Sequence, residues 1–245
     1  MSKSKIFFFL FLLFAIPTFS QDKSSAGEPG MEPSSEIDKK NVGTNLEKKY
    51  YFQISQTFKD KNILNIRHLN TVINNFGDSV PNSKQDLEKI KKDYQVALRY
   101  YYRRAYILSG KQMLDVDRNS NELFKKFSNF YEKQTDELLT SVADAVVTLE
   151  QKENVEPGNE KQSRYRDIQE SEFKLKIAYY NMGKADEMNR EARYYDALVH
   201  YRIAKEYGVK ILTDLELDAN KKKEIAKKYE TDLNDARGLS VQKGT

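Results

Sequence analysis

The sequence predicts an all-α protein, an elongated bundle of long amphipathic helices with a helical hairpin in its C-terminal half. Two observations carry this. Glycine (10) and proline (5) are scarce among 245 residues, and three of the five prolines precede residue 34. Apolar residues recur at spacings of three and four against a background that is 32% charged. Such a pattern sets an apolar helix face in a solvated surface. Alternating β-branched runs, the mark of half-buried strands, are rare.

Lys3 and Lys5 stand before an unbroken apolar run, Ile6 to Ile16, which Pro17 ends; Thr18 and Ser20 then supply small residues. A basic end, a short apolar core and a small-residue exit make residues 1–20 a secretory signal peptide. The core of 11 residues is too short to span a bilayer, which takes about 20. The mature chain is therefore expected outside the cytoplasm, without a transmembrane segment. Cysteine is absent, so stability must come from packing, and thiol catalysis and thiolate metal sites are excluded. Loss of Lys3 and Lys5 lowers the formal net charge from +4 to +2. That balance gives no electrostatic footprint for nucleic acid.

Residues 21–44 are rich in Ser, Gly, Pro and charge, with Met31 and Ile37 the main large apolar residues. They read as a disordered tether. A helical region spans 45–151. Asn45–Phe58 and Lys61–Phe76 form two helices or one bent helix, with Ile54, Phe58, Ile63, Ile66, Leu69 and Ile73 in the stripe. Gly77 to Pro81 stops it. Ser83 suits an N-cap, with Asp86 three residues later. Leu87, Ile90, Tyr94, Ala97, Leu98, Tyr101, Ala105 and Leu108 extend the next helix over six turns, interrupted or ended by Gly110. A third helix runs from about Asn119 to Gln151, whose 33 residues would measure roughly 50 Å.

Residues 152–163, with Pro157-Gly158, read as a polar hinge. The C-terminal helical hairpin region covers 164–237. Ile168, Leu175, Ala178, Met182, Ala185 and Ala192 define its first helix; Ala197, Leu198, Tyr201, Ala204, Ile211 and Leu215 define the second, after a turn near Arg193. Ile225, Tyr229, Leu233 and Ala236 mark a shorter third, and 238–245 is a frayed tail.

Met182 to Gly208 resembles one tetratricopeptide unit. Ala185, Tyr194, Ala197, Leu198, Tyr201 and Ala204 fit its pattern, whereas Asn181, Met188 and Val209 depart from it. An antiparallel hairpin with Ala and Tyr at its seam accounts for the same residues. Asp115, Asp117 and Asn119 open like a calcium loop, with helix before and after. However, Ser120 replaces the turn glycine and Lys126 the bidentate glutamate, so a capped turn is expected there. His68 and His200 stand alone, and no phosphate loop, nucleophile elbow or zinc-protease motif is present. The chain is thus expected to be no enzyme, with no catalytic residue, metal or cofactor.

Two aromatic–basic clusters remain. One runs from Arg99 to Tyr106 and offers Arg99, Tyr100, Tyr102, Arg103 and Tyr106; the other runs from Arg190 to Tyr201 and offers Arg190, Arg193, Tyr194 and Tyr195. Neither run can turn all its large side chains to one core. Tyr and Arg are common interface anchors. These residues are the candidate protein interface; the other reading is a helix buried on two sides, with Arg stems covering Tyr rings.

The chain resembles the flagellar-coiling proteins of Leptospira. The resemblance rests on the Phe-rich leader, the cysteine-free remainder, and ALRYYYRRAYILSG, LFKKFSNFYEKQTDELL and DALVHYRIAKEYG on long helices; it covers about Asn45 to Leu217. It implies a periplasmic coat, or sheath, component of the flagellar filament that supports coiling and motility. Its partners would be the filament core or neighbouring sheath proteins. The alternative is a periplasmic tetratricopeptide-like adaptor that binds a peptide or an envelope-assembly partner.

Overall fold

The computed structural model describes residues 34–155 and 161–239, and 88% of these are helical, with no strand. Eight helices follow in order: α1 (Ser34–Lys40), α2 (Asn45–Phe76), α3 (Ser83–Tyr102), α4 (Tyr106–Val155), α5 (Lys161–Arg190), α6 (Tyr194–Leu215), α7 (Ala219–Lys228) and α8 (Glu230–Ala236). The expected all-α elongated bundle is borne out. The axis is α4, whose 50 residues reach about 75 Å. Helices α2 and α3 pack along α4 up to about Tyr131, and α5 and α6 from about Phe124 onward.

The core follows α4. Met113, Val116, Leu123, Phe124, Phe127 and Tyr131 are buried between Leu69, Val72 and Phe76 of α2, Leu87 and Ile90 of α3, and Leu198 and Tyr201 of α6. Further along, Leu138, Val142 and Val146 meet Val209 and Ile211. Ala178, Ala185, Ala197 and Ala204 are fully buried, in the contact of α5 with α6 and with α4. These alanines let backbones approach, as the hairpin reading required. Gly208 serves the same end, because a Cβ there would lie 3.1 Å from Leu138.

Several sequence expectations need correction. Of the two arrangements expected for residues 45–76, the single helix forms and the pair of helices does not; it is started by a capping box, in which the Thr44 hydroxyl accepts from the Glu47 N–H and the Glu47 carboxylate accepts from the Thr44 N–H. Those hydrogen bonds hold the Glu47 carboxyl below the usual carboxylate range. Ser83 is not the N-cap of α3; Asn82 is, at φ 61°, while the Ser83 hydroxyl donates to the Gly77 carbonyl and closes the turn. The second helix stops at Tyr102 rather than near Gly110. Gly110 lies inside α4, where a Cβ would sit 2.6 Å from Tyr51 Cδ1 and 2.9 Å from the Tyr51 carbonyl oxygen. It is there because α2 crosses α4 too closely for a side chain.

The calcium-like triplet is not a turn between helices. Asp115, Asp117 and Asn119 lie on uninterrupted α4, where Asp117 binds Lys61 at 2.8 Å and Asp115 binds Arg118 at 2.6 Å. The expected tether is helical from Ser34 to Lys40, with Ile37 buried, and Asn41 Oδ1 accepts the first-turn N–H of Ile107 at 3.2 Å. The α4 N-terminus has unmet donors that recruit this segment. The single expected third C-terminal helix is broken at Tyr229 into α7 and α8. The expected signal peptide (1–20), residues 21–33, residues 156–160 of the expected hinge and the tail beyond Leu239 lie outside the described residues, while the rest of the expected hinge is helical, since α4 runs to Val155 and α5 starts at Lys161. Among the described residues no helix is long and apolar enough to cross a membrane.

Candidate interaction surface

Both aromatic–basic clusters are helix ends of one design. At the end of α3, the Ala105 N–H donates to the Tyr100 carbonyl and the Arg104 N–H to the Tyr101 carbonyl, with Arg104 at φ 60°. At the end of α5, the Arg193 N–H donates to the Met188 carbonyl and the Ala192 N–H to the Asn189 carbonyl, with Ala192 at φ 58°. Each is a Schellman ending, which normally places glycine at the left-handed position. A side chain there strains the backbone. The arginines also complement the negative ends of the two helix dipoles.

The first ending leaves Tyr102 73% exposed, with Arg99, Arg103 and Arg104 exposed around it. Its neighbours face inward. Tyr101 stacks on Phe52 at 6.2 Å between ring centroids, and Tyr106 meets the same ring edge-on at 4.8 Å. Tyr100 and Tyr106 are only half-exposed. Arg99, Tyr102 and Arg103 thus form an outward elbow between α3 and α4, while Tyr106 is a seam residue.

The second cluster is largely absorbed. Tyr195 packs on His68 at 4.4 Å and Phe124 at 5.4 Å, and its hydroxyl lies 3.2 Å from His68 Nδ1. Tyr194 sits against the main core with the Lys125 ammonium 5.8 Å from its ring. Arg193 is held by Asp196 at 2.8 Å and Glu191 at 3.3 Å. Only Arg190 and Arg193 remain outward. The structure does not bring the clusters together: Tyr106 and Lys125 are 19 residues apart on α4, about 28 Å.

Two features were not found from sequence. The first is an exposed aromatic face on α5, with Tyr165, Phe173, Tyr179 and Tyr180 between 44% and 65% exposed. Its signal was present: these rings are left over once Ile168, Leu175, Ala178, Met182 and Ala185 fill the inner stripe. The second is a buried ionic centre. Asp235 accepts two bonds from Arg202, one from Asn75 at 3.0 Å and one from Tyr131. Lys205 pairs with Asp232, donates to Gln134 at 2.9 Å, and lies 4.7 Å and 4.9 Å from the Tyr131 and Phe76 ring centroids. Burial lowers the Lys205 pKa, and burial beside Asp235 raises that of Tyr131 well above its ordinary value.

Asp235 is enclosed by Arg202, Asn75 and Tyr131, which ties α8 to α6, α2 and α4. A cleft of about 350 Å³ reaches this centre: Lys205 and Asp232 line it, together with Gln134, Leu138, Lys228 and Tyr229. Among the described residues no group of three or more His, Cys, Asp or Glu side chains is placed to hold a metal ion. The chain matches no protein-family model, no curated protein and no solved structure.

Proposed function

We propose that this chain is a non-enzymatic interaction protein, exported to the periplasm, that docks laterally as a coat component of the periplasmic flagellar filament. The observation that carries this is the α3–α4 elbow. A left-handed Arg104 holds the turn, and Tyr102 projects from it, flanked by Arg99 and Arg103. Strained backbone that presents an exposed Tyr/Arg group fits an anchor better than a surface without a role. The long α4 backs it with a stiff body. Contacts made on only one side of a filament favour one bend, so a rigid lateral subunit would bias curvature. The flagellar assignment itself comes from the resemblance described above.

The adaptor reading has less support. Helices α5 and α6 make one tetratricopeptide-like hairpin, while α7 and α8, at 10 and 7 residues, are too short to continue a stack. A solenoid groove needs about three repeats.

Tyr102→Ala and Arg103→Ala, assayed for retention on isolated filaments, test the proposal. A hot-spot anchor loses more than about 1 kcal/mol on truncation. The expected result is lost retention with unchanged helical content and melting temperature. Full retention by both variants would remove the elbow as the docking surface.

A further inference from the structure

Helix α5 carries exposed rings on the side opposite its buried stripe. Its inner side is used: Ile168, Ala178 and Ala185 are buried. On the outer side, Arg166, Phe173, Tyr180 and Glu187 follow one another at intervals of seven. Seven-residue spacing keeps side chains in a single seam along a helix, the seam that a second helix fills. Phe173 and Tyr180 are 64% and 65% exposed, and the Glu187 side chain is 47% exposed. Tyr165 and Tyr179 widen the strip on one flank.

Gly183 gives an independent sign. A glycine inside a helix weakens it relative to alanine, and the other glycines within these helices are explained by neighbours of the same chain. A Cβ at Gly110 would meet Tyr51, and one at Gly208 would meet Leu138. Around Gly183, among the described residues, nothing beyond its own stretch of helix lies within 4 Å of that position. The residue sits on the outer strip, three positions beyond Tyr180. Missing bulk there serves no contact among the described residues, but it lets another backbone come close.

We infer that the outer face of α5 pairs with the same face of a second copy of this chain, the two helices running antiparallel. The charges choose both partner and direction. The seam begins with Arg166, carries Lys176 at its middle and ends with Glu187, whose carboxylate also binds Lys184 at 2.7 Å; that exposed pair is weak and leaves Glu187 reachable by a partner's guanidinium. A parallel copy would set Arg166 against Arg166 and Glu187 against Glu187. An antiparallel copy sets each Arg166 against the other copy's Glu187, at both ends of the seam, with Phe173 and Tyr180 interleaved between. Lys176 then lies beside the two-fold axis, over the aromatic rings of the other helix, where a cation–ring contact offsets the approach of two ammonium groups. Such an interface is isologous and closes as a pair.

Its size sets its strength. From Arg166 to Glu187 the seam is about 32 Å long and one helix wide, 10–12 Å. That footprint is well under the roughly 800 Å² per partner of stable complexes. The pairing is therefore weak, populated where copies already lie side by side, and it does not depend on what the elbow docks against.

The absence of cysteine makes the test direct, because each introduced thiol is unique. Four single variants of the otherwise unaltered chain are purified: Lys176→Cys, Arg166→Cys, Glu187→Cys and Lys133→Cys. The last, whose native side chain is 80% exposed on α4, reports random collision. Disulfide dimer formation is followed under mild oxidation at high protein concentration. Lys176→Cys is expected to cross-link with itself at least tenfold faster than Lys133→Cys. Arg166→Cys alone is expected to stay at the collision rate, while an equal mixture of Arg166→Cys and Glu187→Cys exceeds it. A Lys176→Cys rate no higher than that of Lys133→Cys overturns the interface. Self-linking of Arg166→Cys as fast as the mixture overturns the antiparallel arrangement. Filament retention plays no part in either outcome, so this inference and the proposed function fail separately.

Discussion

Arg202 grips Asp235 through two hydrogen bonds, Nε to Oδ2 at 2.7 Å and Nη2 to Oδ1 at 3.0 Å, with only 11% and 1% of the two side chains exposed. The pair fastens α8 to α6, and Asn75 of α2 and Tyr131 of α4 complete the shell around the carboxylate. Asp235 is the only buried residue of α8, and α7 has none. Ile225, Tyr229 and Leu233 add partly buried apolar contact, but the C-terminal segment is positioned by charge in a low-dielectric site.

Asp235→Ala should therefore be costly. Removing one partner of a buried pair leaves the other charge uncompensated, a loss of about 3–5 kcal/mol. Here the loss has a ceiling, because α7 and α8 can detach and let Arg202 reach water. Truncation after Leu217 measures that ceiling. In urea unfolding, Asp235→Ala should lose several kcal/mol but no more than the truncated chain. A loss below about 1 kcal/mol would mean that the pair does not hold α8.

His68 sets an acid sensitivity at milder pH. Burial, and secondarily the Arg202 charge, lowers its pKa from the ordinary 6.5. The folded chain then binds fewer protons than the unfolded chain between the lowered value and about 6.5, so stability rises with pH across that window. The contribution is fully present above about 6.5 and is lost as pH falls through the folded value. Lowered carboxyls such as Glu88 and Glu170 act only near and below their ordinary value of 4.5. Melting temperature should fall between pH 7.5 and 5.5 in the native chain and fall less in His68→Gln. Equal slopes in the two chains would remove His68 as the cause.

The bundle was legible because burial along α4 follows the three/four spacing that the apolar residues display. Leu87, Ile90, Val142 and Ile211 all lie where their stripes place them. The α3–α4 turn was not legible. YYYRRAY contains no glycine or proline, and Arg104 takes a left-handed conformation that its residue type does not advertise. Gly110 misled for the complementary reason, since a nearby helix demanded it rather than a turn. The tyrosine-rich clusters were visible, but composition could not separate Tyr102, which faces solvent, from Tyr195, which faces His68 and Phe124. The ionic centre left no local trace, because Tyr131 and Asp235 are 104 residues apart.

Gly110→Ala tests the close approach of α2 and α4. Helix propensity alone favours the alanine by about 1 kcal/mol. The added methyl, however, would lie 2.9 Å from the Tyr51 carbonyl oxygen, and a backbone atom inside a helix cannot rotate away. Overpacking of this kind costs about 1–3 kcal/mol. The expected net effect is a lower melting temperature with unchanged helical content. A higher melting temperature would show that the two helices can part without loss.

Ala192→Gly should act in the opposite sense. Ala192 is exposed and sits at φ 58° in the turn between α5 and α6. For an L-residue that conformation costs about 1–2 kcal/mol. Glycine relieves it, although the freer unfolded chain returns about 0.4–1 kcal/mol of the gain. The turn should therefore be stabilised by about 0.5–1 kcal/mol, read as a rise in the urea midpoint at constant m-value. Ala185→Gly, in the buried interior of α5, is the control. There the same chemical change removes a packed methyl and adds backbone freedom, so it should destabilise. If both variants shift the midpoint downward, the left-handed strain at Ala192 is not a cost that this fold carries.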